Sequence, residues 1–326
     1  MKKNIILLAA LAIVVIGVGG YFVFNMAPNG AGVEQNEVVP NVPAPVASEP
    51  ENNEPVNVAT STAAVSTPAV EAEATTTDNG QEVIGKSVES RDILAYHFGS
   101  GNKEILLVGG IHGGYAWNTA LLSYQMMDHL KANPNAIPTG IKVTVIPALN
   151  PDGLSKVVSV VGAFKASDIS ASTAAMTAGR FNARTVDLNR NFDCGWKASG
   201  VWQNKIVSGG TAAFSEPESA AIRDYAKAHK ITAVVAWYSA GGGVYSSSCG
   251  NGISAETQTI TDIFAKASGY TAYKNFESYQ VSGDMTDWFA KNNVPAIGVL
   301  LTKSNETETD KNLAGIKSLL DHYSKQ

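Results

Sequence analysis

The chain has no lysine or arginine between Lys3 and Lys86, and no aromatic residue from residue 27 to residue 80. A stretch lacking both cannot bury enough apolar surface to offset the entropy of ordering it. Residues 27–81, rich in Pro, Ala, Val, Thr, Asn and Glu, therefore read as a disordered acidic linker. Some 50 residues of this composition would hold a domain about 40 Å from its anchor on average. Cysteine is scarce as well. Cys194 and Cys249 are too few for a disulfide scaffold and are not spaced as a metal knuckle, so they form at most one bridge. No basic patch interrupts a net charge of −5, which excludes a nucleic-acid partner. No internal repeat is present, which excludes a solenoid.

Other features are easily over-read. Gly80-Gln-Glu-Val-Ile-Gly85-Lys86-Ser87 matches a phosphate-binding loop in wording. Such a loop must follow a buried strand and open a helix, whose N-terminal amides hold the phosphates. Here a linker precedes the match and the alternating segment 92–98 follows it, so no nucleotide is expected. Ser239 in Tyr238-Ser239-Ala240-Gly241 lacks the preceding glycine of a nucleophile elbow and has no histidine in a partner motif.

Two segments carry strong signals. Met1-Lys2-Lys3 precedes an uncharged run over residues 5–24, the length a helix needs to cross a bilayer, with no small-x-small cleavage site after it. Residues 1–26 are expected to be an uncleaved membrane anchor. The lysines before the span place the remainder outside the cytoplasm. From residue 82 to 326, strand-like runs near residues 92–98, 104–108, 142–147, 232–237 and 296–301 alternate with helical ones near 119–132, 216–229, 253–268, 284–292 and 310–323. That alternation predicts one α/β domain with helices on both faces of a sheet. The apolar run 105–108 reads as a buried strand that delivers His112 to a glycine-rich turn. His112 is then either a site residue or a core histidine.

Further along, Asn150-Pro151-Asp152-Gly153 reads as the turn that closes strand 142–149, and Ser215 as the N-cap of the helix beginning in Phe214-Ser215-Glu216-Pro217-Glu218. The segment from Arg180 to Phe192 sets guanidinium groups beside asparagines, a combination suited to a carboxylate. Cys194 and Cys249, oxidised in an exported domain, would join the loop containing Asn191 to the loop after Tyr245.

In order and wording these motifs resemble the zinc carboxypeptidase family, whose members include bacterial enzymes that trim cell-wall peptides. The resemblance rests on Gly109-Gly110-Ile111-His112, Asn150-Pro-Asp-Gly153, Val186-Asp-Leu-Asn-Arg-Asn-Phe192, Phe214-Ser-Glu-Pro-Glu218, Tyr279-Gln-Val-Ser-Gly283 with Asp287-Trp288, and Asn312-Leu-Ala-Gly-Ile316. It implies a mixed, mostly eight-stranded sheet between helices. It also implies that Asn189 and Arg190 hold a peptide's C-terminal carboxylate, that Arg180 polarises the scissile carbonyl, that Tyr279 closes over the ligand, and that His112 is the first metal ligand.

The chemistry positions depart from the family. The carboxylate ligand expected before Trp117 is Ala116, or Tyr115 on the alternative count. Tyr238 stands where the second histidine ligand belongs, and Leu300 where the catalytic glutamate belongs. A hydrolytic zinc of this type needs two imidazoles and a carboxylate, and its water needs a base. The expectation is therefore a non-hydrolytic domain that binds peptide C-termini, such as those of cell-wall peptides, with no cofactor. The alternatives are an active carboxypeptidase that binds zinc through atypical ligands, and a structural surface domain with a vestigial cleft. Thr286, near the family's pocket floor, offers no charge to select a ligand side chain. Arg190 could instead pair with Asp187 for folding alone.

Overall fold

The structure, a computed structural model, describes residues 76–77, 80–169 and 171–326. The expected anchor at 1–26 and nearly all of the expected linker lie outside the described residues. Among the described residues no helix is long and apolar enough to cross a membrane.

Consecutive apolar residues make the central strands. β4 (Lys103–Val108) is buried over its last five residues, as befits a strand covered on both faces. It pairs in parallel with β5 (Ile141–Ile146) on one side and β8 (Ile231–Ser239) on the other, and β8 pairs in parallel with β11 (Ala296–Leu301). Antiparallel strands complete both edges. β3 (Asp92–Gly99), β2 (Gln81–Lys86) and β1 (Thr76–Thr77) extend the sheet beyond β5. On the other edge β9 (Gly243–Ser246) runs antiparallel to β11, and β10 (Ala272–Tyr273) runs parallel to β9.

The sheet thus has nine strands rather than eight, in the order β1-β2-β3-β5-β4-β8-β11-β9-β10. The difference comes from the edges, where β1 and β10 have only two residues each. Strand pairing also begins at Thr76, ahead of the expected domain start at residue 82. The phosphate-loop lookalike is strand β2 and opens no helix.

Successive residues of a strand face opposite sides, so Leu107 joins one core layer and Leu106 the other. The first layer packs under α1 (Trp117–Ala132), α5 (Ala255–Ser268) and α7 (Thr309–Tyr323), through Leu122, Phe264 and Leu319 among others. The second packs under α4 (Pro217–Ala228) and α6 (Met285–Lys291), through Ile222, Met285 and Phe289. Helices therefore cover both faces, as the alternation predicts.

Two local readings change. The segment after β5 is not an open turn: Asn150 caps a short helix, α2 (Pro151–Ser155), its side-chain oxygen accepting from the Gly153 N–H at 2.8 Å. The helix α4 is capped at Glu216 and not at Ser215, whose hydroxyl bonds Asn191 and Glu216 instead. A further short helix, α3 (Thr173–Ala178), leads into Arg180. A hairpin of β6 (Ser199–Trp202) and β7 (Lys205–Ser208) stands outside the main sheet.

Cys194 and Cys249 are bonded, with Cα atoms 5.9 Å apart and a sequence separation of 55. Closing a loop of that length should stabilise the fold by roughly 4 kcal/mol through the unfolded chain. Denaturant unfolding of the oxidised and reduced protein measures this. A difference below about 1 kcal/mol would mean that the chain-entropy account fails here.

Candidate functional site

The site lies at the C-terminal ends of the parallel strands, the usual ligand position in open α/β sheets. β4 ends at Val108, and the chain turns sharply through Gly109 and Gly110. Gly110 has φ +66°, and a Cβ there would come within 2.8 Å of Ala148 Cα, so only glycine fits. The turn delivers His112 to the wall of a cavity of about 690 Å³, just before the helical turn Gly113–Ala116 that leads into α1. His112 is buried, and neither ring nitrogen has a hydrogen-bond partner among the described residues. Burial, reinforced by the Arg180 charge, holds its pKa well below the ordinary value, so the imidazole is neutral.

Asp187, Asn189 and Arg190 come from one tight turn. The Asp187 carboxylate caps it by accepting from the Asn189 N–H at 3.2 Å. The same carboxylate receives Arg180 through Nε at 3.0 Å and Nη2 at 2.9 Å, and His112 Nε2 lies 3.7 Å from its other oxygen. Burial works against ionising Asp187. The neighbouring charges, Arg180 first, outweigh it and hold the carboxyl below the ordinary range. The partner of Asp187 is thus Arg180, not Arg190.

Arg190 donates to two backbone carbonyls, Asn189 at 2.7 Å and Val201 at 2.9 Å, while its buried Nε has no partner among the described residues. No ion pair to Arg190 occurs among the described residues. The hairpin covers both guanidiniums. Trp202 lies 4.4 Å from the Arg180 guanidinium carbon, and a Cβ on Gly200 would come within 2.9 Å of Arg190 Cδ. Tyr279 stands over Arg190, its ring centroid 5.7 Å from the guanidinium carbon.

The other end of the cavity is acidic. Asp284 caps α6 and accepts from Thr286 N–H at 2.7 Å, Thr286 Oγ1 at 2.7 Å, Asp287 N–H at 3.1 Å and Asn189 Nδ2 at 2.6 Å. Asp287 accepts only from the Ser248 N–H, at 2.9 Å, among the described residues. Burial, with Asp284 alongside, pushes its pKa up to about 7. Thr286 is uncharged as expected, but its neighbours supply the charge that the sequence reading denied to this floor.

The three departures from the family converge on the same wall. Leu300 on β11 sits in register beside Tyr238 on β8, and both line the cavity with Tyr115 and His112. Burial raises the Tyr238 pKa well above its ordinary value, so its hydroxyl is no anionic donor at neutral pH. Ala116 is buried and has no donor atom. None of the four other histidines lines the cavity. His97 and His229 meet Glu82 and Glu104 near the start of β4, and His322 meets Glu256. Among the described residues no three His, Cys, Asp or Glu side chains converge to hold a metal ion. The donor set around His112 does not fit a hydrolytic zinc.

Residues 78–311 match the model of the zinc carboxypeptidase family. The chain belongs to that family. It is 24% identical over 225 residues to gamma-D-glutamyl-L-diamino acid endopeptidase 1 of Lysinibacillus sphaericus, covering 63% of this chain and 56% of that protein. It is 31% identical over 122 residues to carboxypeptidase Z of Homo sapiens, covering 33% and 17% respectively. The chain thus spans about half the length of the first of these relatives and a sixth of the second. Among solved structures, it superposes on the murein-tripeptide amidase MpaA from Escherichia coli O157 with a TM-score of 0.53 at 19% identity, covering 77% of this chain and 96% of that one. For thrombin activatable fibrinolysis inhibitor the TM-score is 0.62 at 17% identity, covering 76% and 69%. These structures share the fold.

Within that zinc carboxypeptidase fold, His112, Tyr115, Arg180, Asn189, Arg190, Tyr238, Tyr279 and Leu300 all reach one cavity, and the buried Ala116 is not among its lining residues. Sequence reasoning missed Trp202 and Asp284, and named Asp287 only as part of a family motif, with no role in the site. Asp284 and Asp287 follow the spacing of a helix cap, and that structural role hid their place in the cavity.

Proposed function

We propose that this domain is a membrane-tethered, extracytoplasmic, non-hydrolytic receptor for the free carboxyl ends of peptides, cell-wall peptides foremost. The observation that carries the reading is the pairing of a buried, anion-lacking Arg190 with a wall on which the metal donors and the base are replaced. Arg190, assisted by Asn189, accepts the terminal carboxylate, with Tyr279 closing over it. Arg180, held by Asp187, faces the preceding peptide unit. With Leu300 at the base position, no side chain there can take a proton from an attacking water. Without two imidazoles and a carboxylate, no metal is held to acidify that water.

The acidic end defines the ligand further. Asp287, with a single hydrogen bond, suits a cationic side chain, so the cavity as a whole fits a C-terminal diamino acid such as lysine. This agrees with the diamino-acid specificity in the name of the Lysinibacillus sphaericus relative and with the murein-peptide substrate in the name of MpaA. Calorimetric titration with lysine-ended peptides, free and amidated at the C-terminus, tests the proposal. The free peptide should bind and the amide should not. Equal binding of both would sink it, as would one zinc per chain by elemental analysis together with chelator-sensitive peptidase activity.

A further inference from the structure

The hydrogen bonds around the disulfide connect the two charged ends of the cavity. On one side, the Cys194 carbonyl accepts from the Gly283 N–H at 2.8 Å, and the Phe192 N–H donates to the Gly283 carbonyl at 3.1 Å. Gly283 directly precedes Asp284, and Asn189 bonds both the Asp284 carboxylate and the Met285 N–H. The segment 189–194 that carries Arg190 is thereby fixed to the start of α6. On the other side, Cys249 follows Ser248, whose N–H is the donor found on Asp287. Ser247 anchors the base of this loop, its N–H and hydroxyl both reaching the Ala296 carbonyl. Beyond Ser248, the bridge ties the loop to Cys194 at the end of segment 189–194.

We propose that the Cys194–Cys249 bridge is a positioning element for ligand selection: it holds the Ser248 amide on Asp287 and keeps that carboxylate in register with Arg190. Recognition of a cationic side chain then depends on the oxidation state of the bridge, while recognition of the carboxylate does not. This rests on the carboxylate-and-cation reading given above. Reduction is a simple exchange in which a dithiol breaks the S–S bond, leaves two cysteine thiols and is itself oxidised to a disulfide. Losing the Ser248 N–H removes the hydrogen bond that favours the charged form of Asp287, so its carboxyl titrates at higher pH and is less charged at pH 7. The other charged group at this end is Asp284, which raises Asp287 further. Tyr238 and Tyr245 are kept neutral, chiefly by burial.

The test compares two peptides differing only in the last residue, lysine or its uncharged isostere norleucine, against oxidised protein, dithiol-reduced protein, the Cys194→Ala/Cys249→Ala variant and Ser248→Pro. The last deletes the N–H and leaves the bridge in place. Oxidised protein should prefer lysine by about tenfold at pH 8, the size of one charge-assisted contact. That preference should grow as pH rises through about 7, because only ionised Asp287 attracts the ammonium. The three altered forms should lose most of the preference and show a higher midpoint. Their affinity for the norleucine peptide should be retained, which also verifies that the cleft is folded. An unchanged lysine preference, or equal loss of both peptides, overturns the proposal. Oxidised protein that binds neither peptide overturns the underlying reading as well, and is recognised without any altered form.

Discussion

Replacing Arg190 with alanine should weaken binding of a free-carboxylate peptide by roughly tenfold to a hundredfold and leave any residual binding of the amidated peptide unchanged. Arg190 is 1% exposed, yet among the described residues it hydrogen-bonds only carbonyl oxygens and leaves Nε without a partner. A cation taken out of water without an anion carries a desolvation cost that a ligand carboxylate would offset. One charge-assisted hydrogen bond contributes about 1.5–3 kcal/mol, and each 1.4 kcal/mol is a factor of ten. Arg190→Lys should recover little of the loss, because a point charge cannot keep two carbonyls and also present a fork to the ligand. Calorimetry on the two variants measures both effects. An unchanged affinity in Arg190→Ala would mean that the carboxylate docks elsewhere, and the receptor reading would fall with it.

The central sheet and its covering helices were legible because their signals are local and redundant. Residues 105–108 are apolar without interruption, and the helical segments 119–132 and 310–323 carry apolar residues at helical spacing, so burial and propensity agree. The edges were not legible. Ala272–Tyr273 and Thr76–Thr77 are too short for periodicity, and the hairpin strands Ser199–Trp202 and Lys205–Ser208 pair with each other over a two-residue turn, with Gln203 at φ 54°, outside the main sheet.

The site divides in the same way. Arg190 and Tyr279 could be placed because fixed wording surrounds them. The partner choice of Asp187 could not, since Arg180 and Arg190 are both close in sequence and only the fold decides which guanidinium reaches the carboxylate. Asp287 was hidden for a related reason: an aspartate three residues after an aspartate N-cap has a sufficient structural role, and its exposure to the cavity depends on where β9 and its loop pass.

Asp187→Ala should cost about 3–5 kcal/mol of stability, which for a domain of this size lowers the melting temperature by roughly 10 °C. The carboxylate is fully buried and accepts from both Arg180 and the Asn189 N–H, so its removal strands a cation that is 2% exposed. The Trp202 ring at 4.4 Å stays, but a ring face replaces only part of an ion pair. The pH dependence gives an independent check. The folded-state pKa of Asp187 is depressed, so its contribution is present above the unfolded value near about 4 and is lost as pH falls below it. Asp187→Asn should lack that part of the acid transition. Replacing both partners, Asp187→Leu with Arg180→Met, should restore much of the stability while abolishing peptide binding, because the cost lies in an unpaired charge rather than in lost attraction. Chemical denaturation across pH 3–7 measures all of these variants. A loss below about 1 kcal/mol in Asp187→Ala would show that water from the cavity solvates Arg180 as well as the carboxylate does.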